Sequence, residues 1–257
     1  GVDTFTFTVS DGITTTAVET VSVTVDLPAN SAASFDGAFD ASSTPDSVNF
    51  GQAAAANFDT NDDFTVEVWV KPDTVQNSSG SGDNSIIEKV SGTPYPFLIR
   101  LRNQDHPSLS WTLSASRRDS GNTRPLIDST TTLGDGAWHH IAFTKTGSAL
   151  ALYVDGVLEG TTTDTTSATT TNADPLVLGI DSVATRPFAG LMDELRVWNV
   201  GRTQDEIVNA MGKTLSGFES GLTGYWNFDD ATAADLTVNG AAGSFIGDAS
   251  TTASALA

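Results

Sequence analysis

The chain has no cysteine among its 257 residues. That excludes disulfide staples, thiolate nucleophiles and cysteine-ligated zinc. It is also poor in positive charge, with 12 Lys and Arg against 32 Asp and Glu and a formal net charge of -20. Such a surface repels phosphate backbones and anionic membranes, so no nucleic acid partner is expected. No run of about 18 apolar residues occurs, so no membrane insertion is expected. Gly-x-Ser-x-Gly elbows, His-Glu-x-x-His helices and phosphate-cradling loops are all missing. No leader segment is visible and the chain opens inside what reads as a strand, so it is expected to be a piece of a longer protein.

What is present is 39% hydrophobic residues with only 17% charged ones. A core can therefore form, and much of the polarity comes from Thr, Ser, Asn and Asp, which suit strands and turns rather than long helices. The acidic surface favours hard divalent cations, Ca²⁺ above all, as well as solubility.

Strand signals run the length of the chain. Phe5, Phe7 and Val9 alternate with Thr4, Thr6 and Thr8, and Val21, Val23 and Val25 alternate with Ser22 and Thr24, around the turn residues Ser10, Asp11 and Gly12. Leu27 to Ala33, with Pro28, reads as a linker. Phe64 to Val70 alternates strictly and stops at Pro72, and further strands are expected at Trp138 to Lys145, Leu150 to Val154, Leu176 to Ile180, Leu191 to Trp198 and Tyr225 to Phe228. Asp155-Gly156 between apolar runs marks a hairpin. One helix is expected after the capping box Thr203 to Glu206, with Ile207, Val208 and Met211 as its apolar stripe and Gly212 as its stop.

An ordered set of motifs carries a resemblance. It runs through Ser34 to Gly37, Asp46 to Val48, Phe64 to Pro72, Gly136 to Ala142, Leu152 to Gly156, Gly190 to Asn199, the capping box at Thr203, and Gly224 to Asp229. In this order the chain resembles the bacterial laminin-G-like domains of the concanavalin A superfamily, and the pentraxins share the order. The resemblance implies an all-β fold: a concanavalin A-like jelly-roll sandwich of two antiparallel sheets with one short surface helix. Residues 3–12 resemble the closing strands of cadherin-like and immunoglobulin-like adhesin repeats. The expected division is therefore 1–27 as tail strands of such a repeat, 28–33 as linker, and 34–257 as the sandwich.

Glycosidases of this superfamily set two carboxylates across a cleft, and in one branch they lie on a single strand. Asp193-Glu194 is the comparable stretch, and simple alternation sends adjacent side chains to opposite faces. No catalytic residues are expected, and the chain is read as not an enzyme. Asp59 to Asp63 resembles the start of an EF-hand loop but puts Phe64 where Gly is needed, so it reads as a strand-entry turn.

The resemblance to pentraxins implies a Ca²⁺ site from Asp83, Asn84 and Asp181 with the Ile180 carbonyl, while Asp83-Asn84 by itself is also ordinary turn chemistry. Laminin-G-like domains often tie their termini with an ion, which implies Asp36 and Asp193 as further metal ligands, with Asp229, Asp235 and Asn239 in the tail. Tyr95, held between prolines, and Trp111 are candidate platforms for a sugar ring. Arg100, Arg102, Arg117, Arg118 and Arg124 crowd mid-chain; Arg100 and Arg118 are candidate ligand contacts for an anionic sugar, and strand-face salt bridges are the other reading. The expected function is that of a Ca²⁺-dependent, lectin-like module of a secreted or surface bacterial adhesin, monomeric as a fragment, binding glycans of a cell surface or matrix. A peptide-binding or spacer domain is the alternative, and a glycoside hydrolase stands behind both.

Overall fold

The computed structural model describes residues 30–38, 44–77, 82–90, 92–254 and 256, together with the backbone of two N-terminal strands. Those strands, β1 (Val2–Phe7) and β2 (Glu19–Thr24), pair antiparallel, with Val2 opposite Thr24 and Phe7 opposite Glu19. The turn expected at Ser10 to Gly12 and the residues Val9 and Val25 lie outside the described residues.

The rest forms two stacked sheets. The chain runs through β3 (Ser31–Asp36), β4 (Ser47–Asn49), β5 (Phe64–Pro72), β6 (Asp83–Glu88), β7 (Tyr95–Arg102), β8 (Leu113–Arg118), β9 (Leu126–Asp128) and β10 (His139–Thr146). It continues through β11 (Ala149–Val154), β12 (Val157–Thr163), β13 (Val177–Leu178), β14 (Ala189–Trp198), helix α1 (Gln204–Met211), β15 (Leu222–Trp226), β16 (Ser244–Ile246) and β17 (Ser250–Ala253). One sheet has the order β12-β11-β10-β5-β14-β3-β17, with β15 also paired to β14; the other has the order β16-β4-β13-β6-β7-β8-β9. Every pairing within them is antiparallel. The all-β jelly-roll sandwich expected from the sequence is thus found. Residues 31–33, expected in a linker, already belong to β3, with Ala32 and Ala33 fully buried.

The alternation in β5 explains the layering. Phe64, Val66, Val68 and Val70 enter the core, where they meet Ile87, Ile99, Leu113, Ile141 and Phe143. Thr65, Glu67 and Trp69 alternate with them on the outer face, because neighbouring side chains on a strand point to opposite sides. Helix α1 covers that outer face. Thr203 caps it as the capping box predicts, and Ile207 is its fully buried residue. Its C-terminal carbonyls, which a helix leaves unpaired, are taken by the sheet: Trp69 Nε1 donates to Met211 O (2.8 Å) and Arg196 Nη1 donates to Ala210 O (2.9 Å). Beneath the helix, Glu67 is fully buried among His140, Arg196 and Arg202, whose charges and hydrogen bonds outweigh burial and hold its carboxyl below the usual range.

Candidate functional site

The two segments expected to share a Ca²⁺ do lie side by side, but their side chains bind one another. Ser85 N donates to Arg186 O (3.0 Å), stitching β6 to the 181–187 loop. Asn84 is fully buried: its amide donates to Asn77 O (2.6 Å) and to Pro187 O, and its Oδ1 accepts from Asn103 Nδ2 (2.8 Å). Asp181 accepts from Thr185 N (2.6 Å), Thr185 Oγ1 (3.0 Å), Arg186 N (3.0 Å) and Arg186 Nη1 (2.6 Å). Burial works against that carboxylate, yet these donors hold its pKa below the usual range. A cation seated here would have to displace a guanidinium. The set implied for Ca²⁺, Asp83, Asn84, the Ile180 carbonyl and Asp181, is therefore not open to the ion at two of its members: Asn84 and Asp181 are taken up in clamping a loop to a strand.

Arg100, Arg102 and Arg118 share the outer face of the second sheet, where Arg100 stands between Ser85 and Ser114, and Arg118 opposite Tyr95. Two of these charges are paired locally and the third arginine is held by a neutral amide. Arg100 pairs with Glu88 (2.8 Å), Arg102 with Asp128 (2.5 Å), and Arg118 donates to Asn122 Oδ1. Arg117 points the other way and pairs, fully buried, with Asp164 (3.0 Å). Tyr95 is 3% exposed with its hydroxyl beside Ser116 Oγ (3.3 Å), so it is no sugar platform. Trp111 packs on the core from a left-handed backbone position, its ring filling the space beside Gly134.

The two acidic residues expected at the termini belong to different clusters. Asp36 pairs in register with Ala189, which puts Asp193 four residues further along β14, about 13 Å away at about 3.3 Å per residue. Asp36 instead joins Asp46 and Asp248, with carboxylate oxygens within 4.8 Å of one another. Asp46 is buried and accepts Asp36 N (3.0 Å) and Asp248 N (3.0 Å). Burial and the facing Asp248 carboxyl push it up to about 6 against those N–H donors. The turn at Gly247 comes so close that a Cβ there would lie 2.7 Å from Asp46 Oδ1. This oxygen-only set, spaced for ligands at about 2.4 Å from one ion, fits Ca²⁺.

Asp193 lies buried next to Glu194, which lines a cavity. It stands opposite Trp69 in the β14–β5 register, so both side chains share the outer face. Glu194 does too, contrary to simple alternation, because the register shifts between Asp193 and Arg196 and Glu194 takes φ of 53°. The bulge is visible in what it flanks: Met192 and Leu195 are both in the core. The cavity, about 410 Å³, lies where the end of α1 meets the sheet, Asn30 and Leu256. Trp69, Met211 and Leu256 give it apolar walls, and Glu194, Arg196, Lys213, Asn30, Asn227 and Asp229 give it polar ones.

The two acids that line the cavity, Glu194 and Asp229, and the buried Asp193 beside them differ in their freedom. Glu194 is held by Tyr225 Oη (2.8 Å) and Arg196 Nη2 (2.5 Å), though burial still raises its pKa. Asp229 accepts Ser31 N (3.1 Å) and Asn227 Nδ2 (2.6 Å), and burial raises it as well. Asp193 is 1% exposed; Oδ1 accepts Glu194 N (2.8 Å) and Oδ2 is enclosed without a hydrogen-bond donor among the described residues. Burial and the Glu194 charge push it up to about 8, against the Glu194 N–H and the Ser254 hydroxyl. Trp69 was legible as an outward-facing aromatic from the alternation of β5, whereas Glu194, Arg196, Asn227, Asp46 and Asp248 needed the bulge and the long-range pairing.

Residues 36–208 match the Laminin_G_3 family, described as the concanavalin A-like lectin/glucanases superfamily. Among curated proteins, none matches. In fold, the chain is similar to a Bacteroides ovatus protein assigned to carbohydrate binding, at TM-score 0.64 and 18% identity, covering 92% of this chain and 63% of that one. It thus spans less than two thirds of that protein. It is also similar to a heptameric SAP-like pentraxin from Limulus polyphemus (TM-score 0.52, 17% identity, 72% of this chain and 82% of that one). A third likeness is to the binding domain of Paraclostridial Mosquitocidal Protein 1 (TM-score 0.52, 14% identity, 70% and 45%). With more than half its length matched, the chain belongs to the Laminin_G_3 family of the concanavalin A-like superfamily.

Proposed function

We propose that this chain is a glycan-binding module and that the cavity beside Trp69 is its binding site. The observation that carries the reading is the cavity's composition: an aromatic wall beside convergent carboxyl and amide groups, the combination that sugar rings and their hydroxyls require. That a fold neighbour is assigned to carbohydrate binding supports it. The module serves attachment to glycans of a cell surface or matrix, as part of a secreted or surface-exposed bacterial adhesin.

The reading is of binding, not hydrolysis. Asp193 and Glu194 do share a face, but Glu194 is tied to Arg196 and Tyr225 and Asp193 lies beneath the surface. Neither is free to attack an anomeric carbon while the other protonates a leaving oxygen.

Ca²⁺ is proposed at Asp36, Asp46 and Asp248, where it would join the end of β3, the start of β4 and the turn between β16 and β17. Bound there it neutralises three carboxylates, and it would act on stability before it acts on the ligand.

A glycan array with the wild-type chain and Trp69→Ala, each with Ca²⁺ and with chelator, tests the function. Hits lost on Trp69→Ala support the reading. Hits that survive the substitution place the site elsewhere, and silence under every condition favours a spacer or peptide-binding domain.

A further inference from the structure

His139 is 8% exposed, and both nitrogens of its ring meet a carboxylate. Nδ1 lies 2.8 Å from Asp155 Oδ2, and Nε2 lies 3.0 Å from Asp135 Oδ1. An ionised carboxylate only accepts, and a neutral imidazole carries one N–H. Two such contacts therefore call for a ring with both nitrogens protonated. The hydrogen bond to Asp155, joined by that to Asp135 and by both charges, raises the His139 pKa against burial. In return Asp135 is held low by Ala137 N and by His139. Asp155 is held low as well, because the His139 bond and His140 N outweigh its burial. Among the described residues these two are the charged groups that act on the ring. Across from it β5 presents Val70, while Lys71 alternates to the outer face. His140, next along β10, turns to that outer face and towards Glu67.

The two carboxylates belong to different elements. Asp135 stands in the connection from β9 to β10, where its Oδ1 also accepts Ala137 N (2.9 Å). Asp155 opens the turn from β11 to β12. Its Oδ1 accepts His140 N (2.8 Å) and its own N–H donates to His140 O (2.8 Å). That turn is the seat of α1. Gln204 Nε2 donates to Gly156 O (2.8 Å), and a Cβ on Gly156 would lie 2.6 Å from Val208 Cγ2 and 3.5 Å from Met211 Sδ. Met211 in turn lines the cavity beside Trp69. A ring that gives up one proton keeps one donor, so one of its two carboxylate contacts must go.

We propose that His139 is a proton-operated clamp: charged, it ties the β9–β10 connection to the Asp155-Gly156 turn and so steadies the seat of α1; neutral, it lets one of them go. The inference goes beyond the glycan-binding reading and does not depend on it. A histidine whose pKa is raised by folding gives its support below the ordinary value of about 6.5 and withdraws it as pH rises through the raised one. The clamp therefore holds in mildly acidic surroundings and opens towards alkaline ones.

NMR of the whole chain tests it, between about pH 5 and about pH 9. The signals followed are the His139 ring nitrogens, the amides of Ala137, His140 and Asp155, and the Gln204 side-chain amide. The ring is expected to carry both protons at the acidic end and to lose one only above the ordinary histidine range. Hydrogen exchange at the three amides, corrected for its intrinsic pH dependence, is expected to quicken about threefold or more across that titration, the scale of a partly exposed ion pair. The Gln204 signal is expected to move along the same curve. In His139→Gln, whose side chain is polar but cannot charge, the quickening should vanish. If that variant does not fold, Asp135→Asn, at an exposed carboxylate, serves in its place; it should lower the His139 pKa and shrink the change in exchange. A ring with a single proton at the acidic end, or one that titrates at the ordinary value, overturns the inference. Quickening that persists in His139→Gln overturns it too, since other carboxyls, such as Asp46 and Asp193, would then be its source. A Gln204 signal that stays still through the titration shows that α1 does not feel the clamp, and overturns the role given to its seat.

Discussion

Asn84 shows how a residue chosen correctly by position can be misread in role. Its amide reaches three partners at once and ties β6 to residues 77, 103 and 187. Asn84→Ala is expected to cost about 2 kcal/mol in urea unfolding, because it strands buried polar groups, while Ca²⁺ affinity stays unchanged. Normal stability with weakened Ca²⁺ binding would restore a metal role. The resemblance to pentraxins set Asp83, Asn84 and Asp181 together, but the sequence could not show that Thr185 and Arg186 fold back on Asp181. Tyr95 failed for a similar reason: flanking prolines do imply rigidity, but only the pairing of β7 with β8 decides that the ring is buried.

Among the elements, the short-range signals were the legible ones. The capping box at Thr203 and the Asp155-Gly156 turn, with φ of 52° and 75°, both form as the sequence dictates, because each is settled within four residues. Thr203→Ala should therefore cost about 1 kcal/mol of stability, read by thermal unfolding, and no change would mean that packing at Ile207 alone holds α1. The β14 bulge was not legible, since alternation is broken there by tertiary pairing with β5. Four residues before it, Gly190 sits at φ of 134° with Lys71 O only 2.2 Å from where a Cβ would be. Gly190→Ala is expected to destabilise by about 3 kcal/mol, through strain and through clash with the neighbouring strand. A neutral result would show that β14 and β5 can separate there without loss.

At the scale of the whole molecule, the ordered motifs specified the sandwich, and the acidic excess pointed to cations without saying where they sit. The excess also shapes pH behaviour. Carboxylates lowered by donors, such as Asp119 and Asp181, stabilise the fold above their unfolded pKa and release that stability as pH falls through their folded values. Asp46 and Asp193 act in the opposite sense. Raised to about 6 and about 8, they favour the fold while protonated and withdraw that support as pH rises through those values. In chelator, the melting temperature should peak in mildly acidic buffer and decline towards pH 8, and Asp193→Asn should flatten the decline. Added Ca²⁺ should raise the melting temperature most at the alkaline end, where Asp46 is ionised, and Asp46→Asn should abolish the increase. A melting temperature that climbs steadily from mildly acidic buffer to pH 8 in chelator would contradict this balance.

The central claim is that a glycan occupies the cavity beside Trp69, and nitrogen-15 NMR of the whole chain tests it most directly. The indole signal of Trp69, identified by its loss in Trp69→Phe, and the side-chain amide of Asn227 are followed as an oligosaccharide that binds on the glycan array is added. The account predicts that both signals shift in a saturable way while the amides of β7 and β8 stay in place. Shifts confined to β7 and β8, with Trp69 and Asn227 unmoved, would place the ligand on the arginine-bearing face and contradict it.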